Sequence, residues 1–321
     1  MNSGHFMLSA IVCTYERYHV LAQSIDALLR QNAPSECYEI IVVDNSRDQA
    51  AAHLFGAQYA DRPNVRYVLE STPGLSNARN VGTKLATGHI VAFIDDDAVS
   101  SPDWVQGVID VYKTYGARVG VVGGRVVPRW ISEKPAWLEG DLLSYLSLID
   151  YGSATMVLGP KQWLAGCNIS FDKQALLSAG GFSPALGRGG SSLPLLSGEE
   201  IEATRKIRTG GRLTVYTPNA IVEHIIDPAR LTQAWFRRRA AWQAVSDLIA
   251  ASDRIGEPKQ MSEFSQMAVE RLRALSVGNR DDLRANVFRK RDDPLAFRRD
   301  LEAIYCSVIA SLSGGIEVED R

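Results

Sequence analysis

The sequence predicts an α/β fold with a mostly parallel central sheet, followed by a helical appendage at the C-terminus. Three observations lead there. From residue 7 to about 125, short β-branched runs alternate with helix-like segments, as in βα units whose helices cover both faces of a sheet. Each apolar run in that region stops abruptly at polar or charged residues. From Pro228 onward the chain carries helical patterning to its end.

Four strands read directly: Leu8 to Cys13, Glu39 to Val43, Val65 to Leu69 and His89 to Ile94, with Arg118 to Val122 as a fifth. Helices are expected between them at His19 to Gln31, Asp48 to Tyr59, Leu75 to Ala86 and Asp103 to Tyr115. The last follows Pro102, which suits a helix start. Beyond residue 125 the pattern loses regularity, and Trp130, Trp137 and Trp163 stand among Pro and Gly, a composition suited to a binding segment. Order returns with helices at Lys173 to Ala179 and Glu200 to Thr209 and a strand from Leu213 to Ile226. One domain is therefore expected over 1–226, in two halves, 1–125 and 126–226, with 227–321 as a separate helical region.

With 45% hydrophobic and 22% charged residues over 321 positions, the chain can bury the core of one large domain plus an appendage. A formal net charge of -2 gives no general attraction for polyanions. Nucleic acid is therefore not an expected partner, and any anionic ligand must be met by a local site. Cys13, Cys37, Cys167 and Cys306 share no metal-ligand spacing and read as reduced thiols, which suits a reducing, cytoplasmic compartment. The N-terminus has neither a basic start nor an apolar signal core, and no run of about 18 apolar residues offers a membrane span. One stretch points towards a membrane. Trp235, Phe236 and Trp242 beside Arg237, Arg238 and Arg239 would give an amphipathic face for peripheral contact with an anionic inner membrane surface. The plainer reading is a helix packed on its own domain.

In open α/β sheets, ligands bind beyond the carboxyl ends of the strands. Those positions hold Thr14-Tyr15-Glu16-Arg17, Asp44-Asn45-Ser46, the stretch leading to Gly74 and Arg79, and the triplet Asp95-Asp96-Asp97. Three adjacent carboxylates repel and raise one another's pKa, a cost that a divalent cation removes. Hard oxygen ligands select magnesium or manganese, which keep waters and bind one or two carboxylates together with substrate phosphates. The competing reading is a solvated acidic turn ahead of the next helix. A second acidic group, Gly198-Glu199-Glu200-Ile201-Glu202, opens a helix after a flexible loop. A carboxylate there would serve as a general base or would only complement the helix dipole, and spacing alone does not separate the two. Gly187-Arg188-Gly189-Gly190-Ser191-Ser192 lacks the lysine and preceding strand of a P-loop and reads as a mobile lid.

Five segments in this order resemble family 2 glycosyltransferases with the GT-A fold: Val12-Cys13-Thr14-Tyr15-Glu16-Arg17, Val42-Val43-Asp44-Asn45-Ser46, Gly74-Leu75-Ser76-Asn77-Ala78-Arg79-Asn80, the aspartate triplet, and Gly198-Glu199-Glu200. The resemblance implies a GT-A nucleotide-binding sandwich, with 1–125 as its nucleotide-binding half and 126–226 as its acceptor and catalytic half. It implies a nucleotide-sugar donor, with uridine as the base, a carbohydrate or lipid-linked glycan acceptor as in polysaccharide biosynthesis, and Mn2+ or Mg2+ as cofactor. By position, Thr14, Tyr15 and Glu16 would line the base and ribose, Asp44 would accept from the base, and Arg79 would contact the base or a phosphate. Asp95 and Asp96 would hold ribose and phosphate-side groups, and Asp97 would bind the metal. His224 falls where many members supply a further metal or phosphate contact, although a lone histidine is more often a packed, hydrogen-bonded residue. Where the family usually carries an aspartate as catalytic base, this chain has Glu200, one methylene longer, which leaves Glu199 and Glu202 as alternatives. Gly166-Cys167-Asn168-Ile169-Ser170-Phe171 resembles the family's segment beneath the donor sugar. The tryptophans around it would stack on sugar rings or fill core.

The implied reaction is a single displacement that inverts the anomeric centre, with Glu200 taking the acceptor proton. A sugar-nucleotide pyrophosphorylase would carry a Gly-rich, Arg-containing loop where Thr14-Tyr15-Glu16-Arg17 stands, and an NAD-dependent oxidoreductase would need a Gly-x-Gly-x-x-Gly after the first strand. A non-catalytic nucleotide-sugar or carbohydrate-binding protein is the alternative that the glutamate at position 200 leaves open.

Overall fold

A computed structural model describes residues 7–189, 195–252, 258–275 and 289–313. In chain order the first elements are β1 (Leu8–Thr14), α1 (Tyr18–Leu29), β2 (Tyr38–Asp44), α2 (Gln49–Ala57), β3 (Val65–Leu69), α3 (Leu75–Leu85), β4 (Ile90–Asp95), β5 (Ala98–Ser100), α4 (Trp104–Tyr115) and β6 (Val119–Trp130). They are followed by β7 (Met156–Val157), β8 (Asn168–Asp172), α5 (Lys173–Ser178), α6 (Glu199–Thr209), β9 (Leu213–Ile226) and the helices α7 (Gln233–Ser252), α8 (Pro258–Ala274) and α9 (Pro294–Leu312).

The described strands form one sheet in the order β3-β2-β1-β4-β8-β6-β9-β5, with β7 on β9. Its first four strands are the parallel block anticipated from the βα pattern. β1 lies between β2 and β4, in a register that sets Thr14 beside Asp44 and Cys13 beside Asp95. Parallel pairing requires a crossover connection, which α1, α2 and α3 provide. Helices then cover both faces, so every residue of β2 is buried and the strand reads as an unbroken apolar run rather than an alternation. Beyond β4 the sheet turns antiparallel through β8, a mixed arrangement that fits the GT-A class.

The strands lie within one or two residues of their expected limits except the fifth. β6 continues to Trp130, through residues whose Gly, Pro and Arg content masks a strand. β5, β7 and β8 were not separately legible, being two to five residues long and defined by their partners. β8 is held by its first residue. Asn168 is 1% exposed, donates from Nδ2 to the carbonyls of Arg125 and Ala220, and accepts from Trp104 Nε1 at 2.8 Å. An amide with all of these partners costs little to bury. Phe93 of β4 meets Phe182 and Phe171 edge-on at 5.0 and 6.0 Å, closing the core on the side that faces α3 and α5.

The chain divides into two compact units. The first comprises Met1–Arg129, Ser147–Gly190 and Glu199–Ile226, and holds the sheet. The second gathers Trp130–Leu146, Ser191–Gly198 and Asp227–Arg321. In this second unit Trp137 packs edge-on against Phe236 at 5.1 Å and Phe297 at 5.0 Å, so it is core and not a sugar platform. Trp235 and Phe236 are also buried, Arg237 stacks over the Phe297 ring at 5.3 Å, and Arg239 donates to Ser197 Oγ. Of the three aromatics expected at a membrane, Trp235 and Phe236 are therefore turned into their own unit, and Trp242 is half-buried. Among the described residues no helix is long and apolar enough to cross a membrane.

α3, which carries Arg79, rests on β1 at Gly82. A Cβ there would stand 2.5 Å from Ile11 Cγ2. Helix propensity would favour alanine over glycine by up to about 1 kcal/mol, and overpacking a dense core costs about 1–3 kcal/mol. Packing should win: Gly82→Ala is expected to lower the unfolding free energy by about 1 kcal/mol in a urea titration, with a stabilised variant contradicting this account.

Candidate active site

The parallel block ends its strands side by side, and the loops that follow are tied together. Asn45, just after β2, receives Gly74 N–H at Oδ1 (2.8 Å) and donates through Nδ2 to the carbonyls of Glu70 and Thr72, which holds the approach to α3. Thr14, the last residue of β1, donates from Oγ1 to Asp96 Oδ2 at 2.7 Å. The chain then turns at Glu16, whose φ of 56° is uncommon for a residue with a side chain. Two contacts across to the β2 loop hold that conformation: Glu16 N–H donates to Ser46 Oγ at 2.7 Å, and Arg47 N–H donates to Glu16 Oε1 at 3.3 Å. Tyr15 is half-buried and Glu16 exposed, so both can face a ligand.

The turn delivers Arg17 to the aspartate triplet. Its Nη1 lies 3.1 Å from Asp96 Oδ1 and its Nη2 2.6 Å from Asp97 Oδ2. Asp96 and Asp97 are 4% and 2% exposed. Burial, and then the neighbouring Asp97, push the Asp96 carboxyl up to about 7, against the opposing pull of Arg17 and the Thr14 hydroxyl. On the other side of Asp97, Oδ1 is 3.5 Å from His224 Nε2. The antiparallel pairing of β5 with β9 puts them together, by setting Ala98 opposite His224 and letting Ile225 N–H donate to the Asp97 carbonyl.

Asp95 has a different counterion. Arg79, 2% exposed, donates from Nη2 to Asp95 Oδ1 and to the Gly166 carbonyl, both at 3.1 Å, and from Nη1 to Glu199 Oε1 at 2.7 Å. Phe93 and Phe182 lie under the guanidinium at 5.7 and 5.6 Å. Arg79, expected at the base or a phosphate, stands among protein acceptors. Gly166 is explained by the same contact, since a Cβ there would fall 2.8 Å from Arg79 Nη2. Cys13 lies close by, its thiol pushed up to about 12 by burial despite Arg79, and is inert as a nucleophile at neutral pH.

The acidic helix start separates into three environments. Glu199 is 3% exposed and paired with Arg79. Glu202 is held by the Arg205 fork at 2.6 and 3.0 Å. Glu200 is half-exposed, and its Oε2 is buried without a hydrogen-bond partner. Burial, then the adjacent Glu199, push its carboxyl up to about 7, with Arg79 opposing. Glu199 Oε2 is likewise buried without a partner, but Glu199 and Glu202 are each held by an arginine, so of the three expected candidates Glu200 is the carboxylate outside an ion pair among the described residues.

Asp44, expected as an acceptor for a base, has protein donors around it. It is fully buried, accepting from Ser46 N–H at 2.9 Å and from the Tyr67 hydroxyl. The expected lid is pinned where it is described: Ser76 Oγ donates to the Leu186 carbonyl at 2.7 Å, and Leu75 N–H to the Arg188 carbonyl at 2.9 Å. Gly187 has φ 85°, and a Cβ there would stand 2.7 Å from Ser76 Oγ and 3.3 Å from the Glu199 carboxylate; residues 190–192 of that loop lie outside the described residues. Trp163 and Trp130 are half-buried. Arg17 was not singled out as a site residue in the sequence. The available signal was its position after a strand that must pair with the one ending in the triplet.

Asp97 and His224 fit a divalent cation as a partial site, one hard oxygen and one imidazole facing each other. Among the described residues no three His, Cys, Asp or Glu side chains gather as a closed metal site. The remaining ligands of such an ion would be water and substrate phosphate, the usual habit of magnesium and manganese.

Residues 9–157 match the model of glycosyl transferase family 2. The chain is 30% identical over 246 residues to glucosyl-dolichyl phosphate glucuronosyltransferase of Haloferax volcanii, covering 74% of this chain and 75% of that protein. It is 26% identical over 243 residues to the succinoglycan biosynthesis protein ExoM of Rhizobium meliloti, covering 71% and 70%. Among solved structures, the mannosyltransferase PcManGT from Pyrobaculum calidifontis, in complex with GDP-Man and Mn2+, superposes with a TM-score of 0.59 at 20% identity over 96% of this chain and 86% of that one.

Removing one member of a buried ion pair costs about 3–5 kcal/mol, whereas replacing both members by apolar groups is often nearly neutral. Arg79→Met should therefore lower the unfolding free energy by roughly that amount, and Arg79→Met with Glu199→Leu should recover a large part of it in urea titrations. Additive losses in the double variant would show that the two side chains are not partners.

Proposed function

The chain belongs to glycosyl transferase family 2 and is therefore a glycosyltransferase, and we propose that it moves a sugar from a uridine diphosphate donor to a hydroxyl of a carbohydrate or lipid-linked glycan, with inversion. The observation that carries this reading is the ion network Asp95–Arg79–Glu199, which joins the end of β4 to the first turn of α6. The donor-side carboxylates and Glu200 then belong to one rigid site.

In this mechanism Thr14, Tyr15 and Glu16 face the nucleoside, and Asp95, 35% exposed at its side chain, is the member of the triplet open to the ribose and phosphate side. A divalent cation at Asp97 and His224, manganese or magnesium, would neutralise the charge that develops on the departing diphosphate. Glu200 accepts the proton of the acceptor hydroxyl, and the acceptor oxygen attacks the anomeric carbon as the diphosphate leaves from the opposite face. A carboxylate with a proton affinity near neutrality suits this task better than an ordinary one, because general-base efficiency rises with basicity as long as the group remains deprotonated. Arg79 and Glu199 position the helix and touch no reacting atom. Relatives named for succinoglycan and dolichyl phosphate-linked sugars support an extended or lipid-linked glycan acceptor.

With Mn2+ present, the purified protein should release nucleoside diphosphate from a nucleotide sugar, tested over a panel of UDP- and GDP-sugars. Release from none of them, together with no effect of Asp97→Asn on donor binding, would remove the enzymatic reading. Glu200→Gln should lower kcat by about 10²–10⁴-fold with donor affinity retained. Because the base must be deprotonated, kcat should rise with pH through about 7 and level off above it.

The same group also affects stability. Its pKa is raised on folding, so the folded state favours the proton and stability falls as pH climbs from the ordinary carboxylate range through about 7. Glu200→Gln removes that penalty. The variant should melt roughly 2–4 °C above the parent at pH 8, with the difference closing towards pH 5; a pH-independent difference would contradict the buried-carboxylate account.

A further inference from the structure

We propose that Arg17 is a resident counterion that opposes a divalent cation at Asp97 and swings away as the ion binds, so that this side chain sets the apparent metal affinity of the site. The inference rests on the metal-dependent reading above and extends it. Asp96 and Asp97 have side chains only 6% and 3% exposed, and adjacent carboxylates removed from water require a nearby positive charge. Arg17 supplies it, its fork reaching one oxygen of each carboxylate at 3.1 and 2.6 Å.

The two arginines of the site differ in what they can do next. The Arg79 side chain is 3% exposed and ringed by Asp95, Glu199, Gly166 and two phenyl rings, which leaves it no route out. The Arg17 side chain is 33% exposed, on the rim of the same cluster. Its backbone is held on both sides: by the left-handed turn at Glu16, and by Val20 and Leu21 N–H donating to the Arg17 carbonyl at 3.2 and 3.1 Å. An exchange therefore needs only side-chain rotation, with no movement of the loop. While Arg17 holds Asp97 Oδ2, an ion must meet the carboxylate at Oδ1, which faces His224, and a guanidinium and a divalent cation on one buried carboxylate repel one another. The ion consequently binds most tightly to molecules in which Arg17 has swung away, and its apparent dissociation constant is raised by the fraction in which it has not.

The test is a titration of the full chain with Mn2+ alone, without nucleotide, following loss of the free-ion electron paramagnetic resonance signal. The chains compared are wild type, Arg17→Gln, Arg17→Lys and Asp97→Asn. Arg17→Gln should bind Mn2+ about tenfold more tightly than wild type, the order expected for removing one screened ion pair. Arg17→Lys, which keeps the charge and loses the fork, should lie between them, and Asp97→Asn should lose the site. Added Mn2+ should also raise the melting temperature of Arg17→Gln more than that of wild type. If wild type binds Mn2+ at Asp97 and Arg17→Gln binds it equally or more weakly, the counterion assignment fails while the metal-dependent reading stands. If folded wild type and folded Arg17→Gln both bind none, the counterion assignment fails, and the nucleotide-release assay with and without Mn2+ decides metal dependence separately. If only Arg17→Gln binds, displacement is supported and metal dependence of the wild-type chain is what falls. Should Arg17→Gln not fold, Arg17→Lys decides by the same comparison: tighter binding than wild type supports the assignment, and equal or weaker binding overturns it.

Discussion

The guanidinium of Arg79, 2% exposed, is the joint on which the arrangement of the site depends. It reaches Asp95 at the end of β4 with one nitrogen and Glu199 at the start of α6 with another, linking residues 104 positions apart, as the two pairs of 16 and 120 residues imply. A buried cation of this kind adds little net stability, because desolvation of the three charges offsets most of their attraction. Its effect is geometric. With each charge committed to a partner, α6 can enter the site in one orientation, and Gly166 and Gly187 are small because they border this network.

Carboxylates crowd this corner, and the chain meets their charge in two physically different ways. Arg79 is enclosed and permanent, which suits a brace. Arg17 stands at the rim, one-third exposed, against two carboxylates that are almost wholly buried. Glu200 has neither arginine as an ion-pair partner, and burial, then the adjacent Glu199, lift its proton affinity towards neutrality. The division between brace, rim cation and base follows from where each side chain can reach water, since solvation decides both how strongly a charge is held and whether it can leave.

Much of the site was legible because strand ends in a parallel sheet converge. Once β1, β2 and β4 are recognised as apolar runs in βα units, their terminal residues must lie on one edge, which brings Thr14, Asp44 and Asp95 together with no knowledge of the loops. The same reasoning does not say which convergent side chains face a ligand. Asp44 is turned inward to Tyr67 and Ser46, and Arg79 lies beneath the edge and not on it. Residue type cannot reveal this, because an arginine at the floor of a site and one at its mouth share the same local pattern. Trp137 and the Trp235–Phe236 pair make the parallel point for aromatics, which read equally well as ligand platforms or as core until their packing partners are known.

By itself the sequence determined the parallel βα block, the succession of its helices, the carboxylate triplet at the end of β4 and the acidic opening of α6, because all of these rest on short-range periodicity and composition. The tertiary structure alone decided the antiparallel half, whose short strands exist only through partners such as Asn168 against Ala220 and Ala98 against His224. It also decided the counterion of each carboxylate. Two of those pairings join residues 80 and 120 positions apart in the chain, Arg17 with Asp97 and Arg79 with Glu199. They depend on distance and burial, quantities that no local pattern of residues carries.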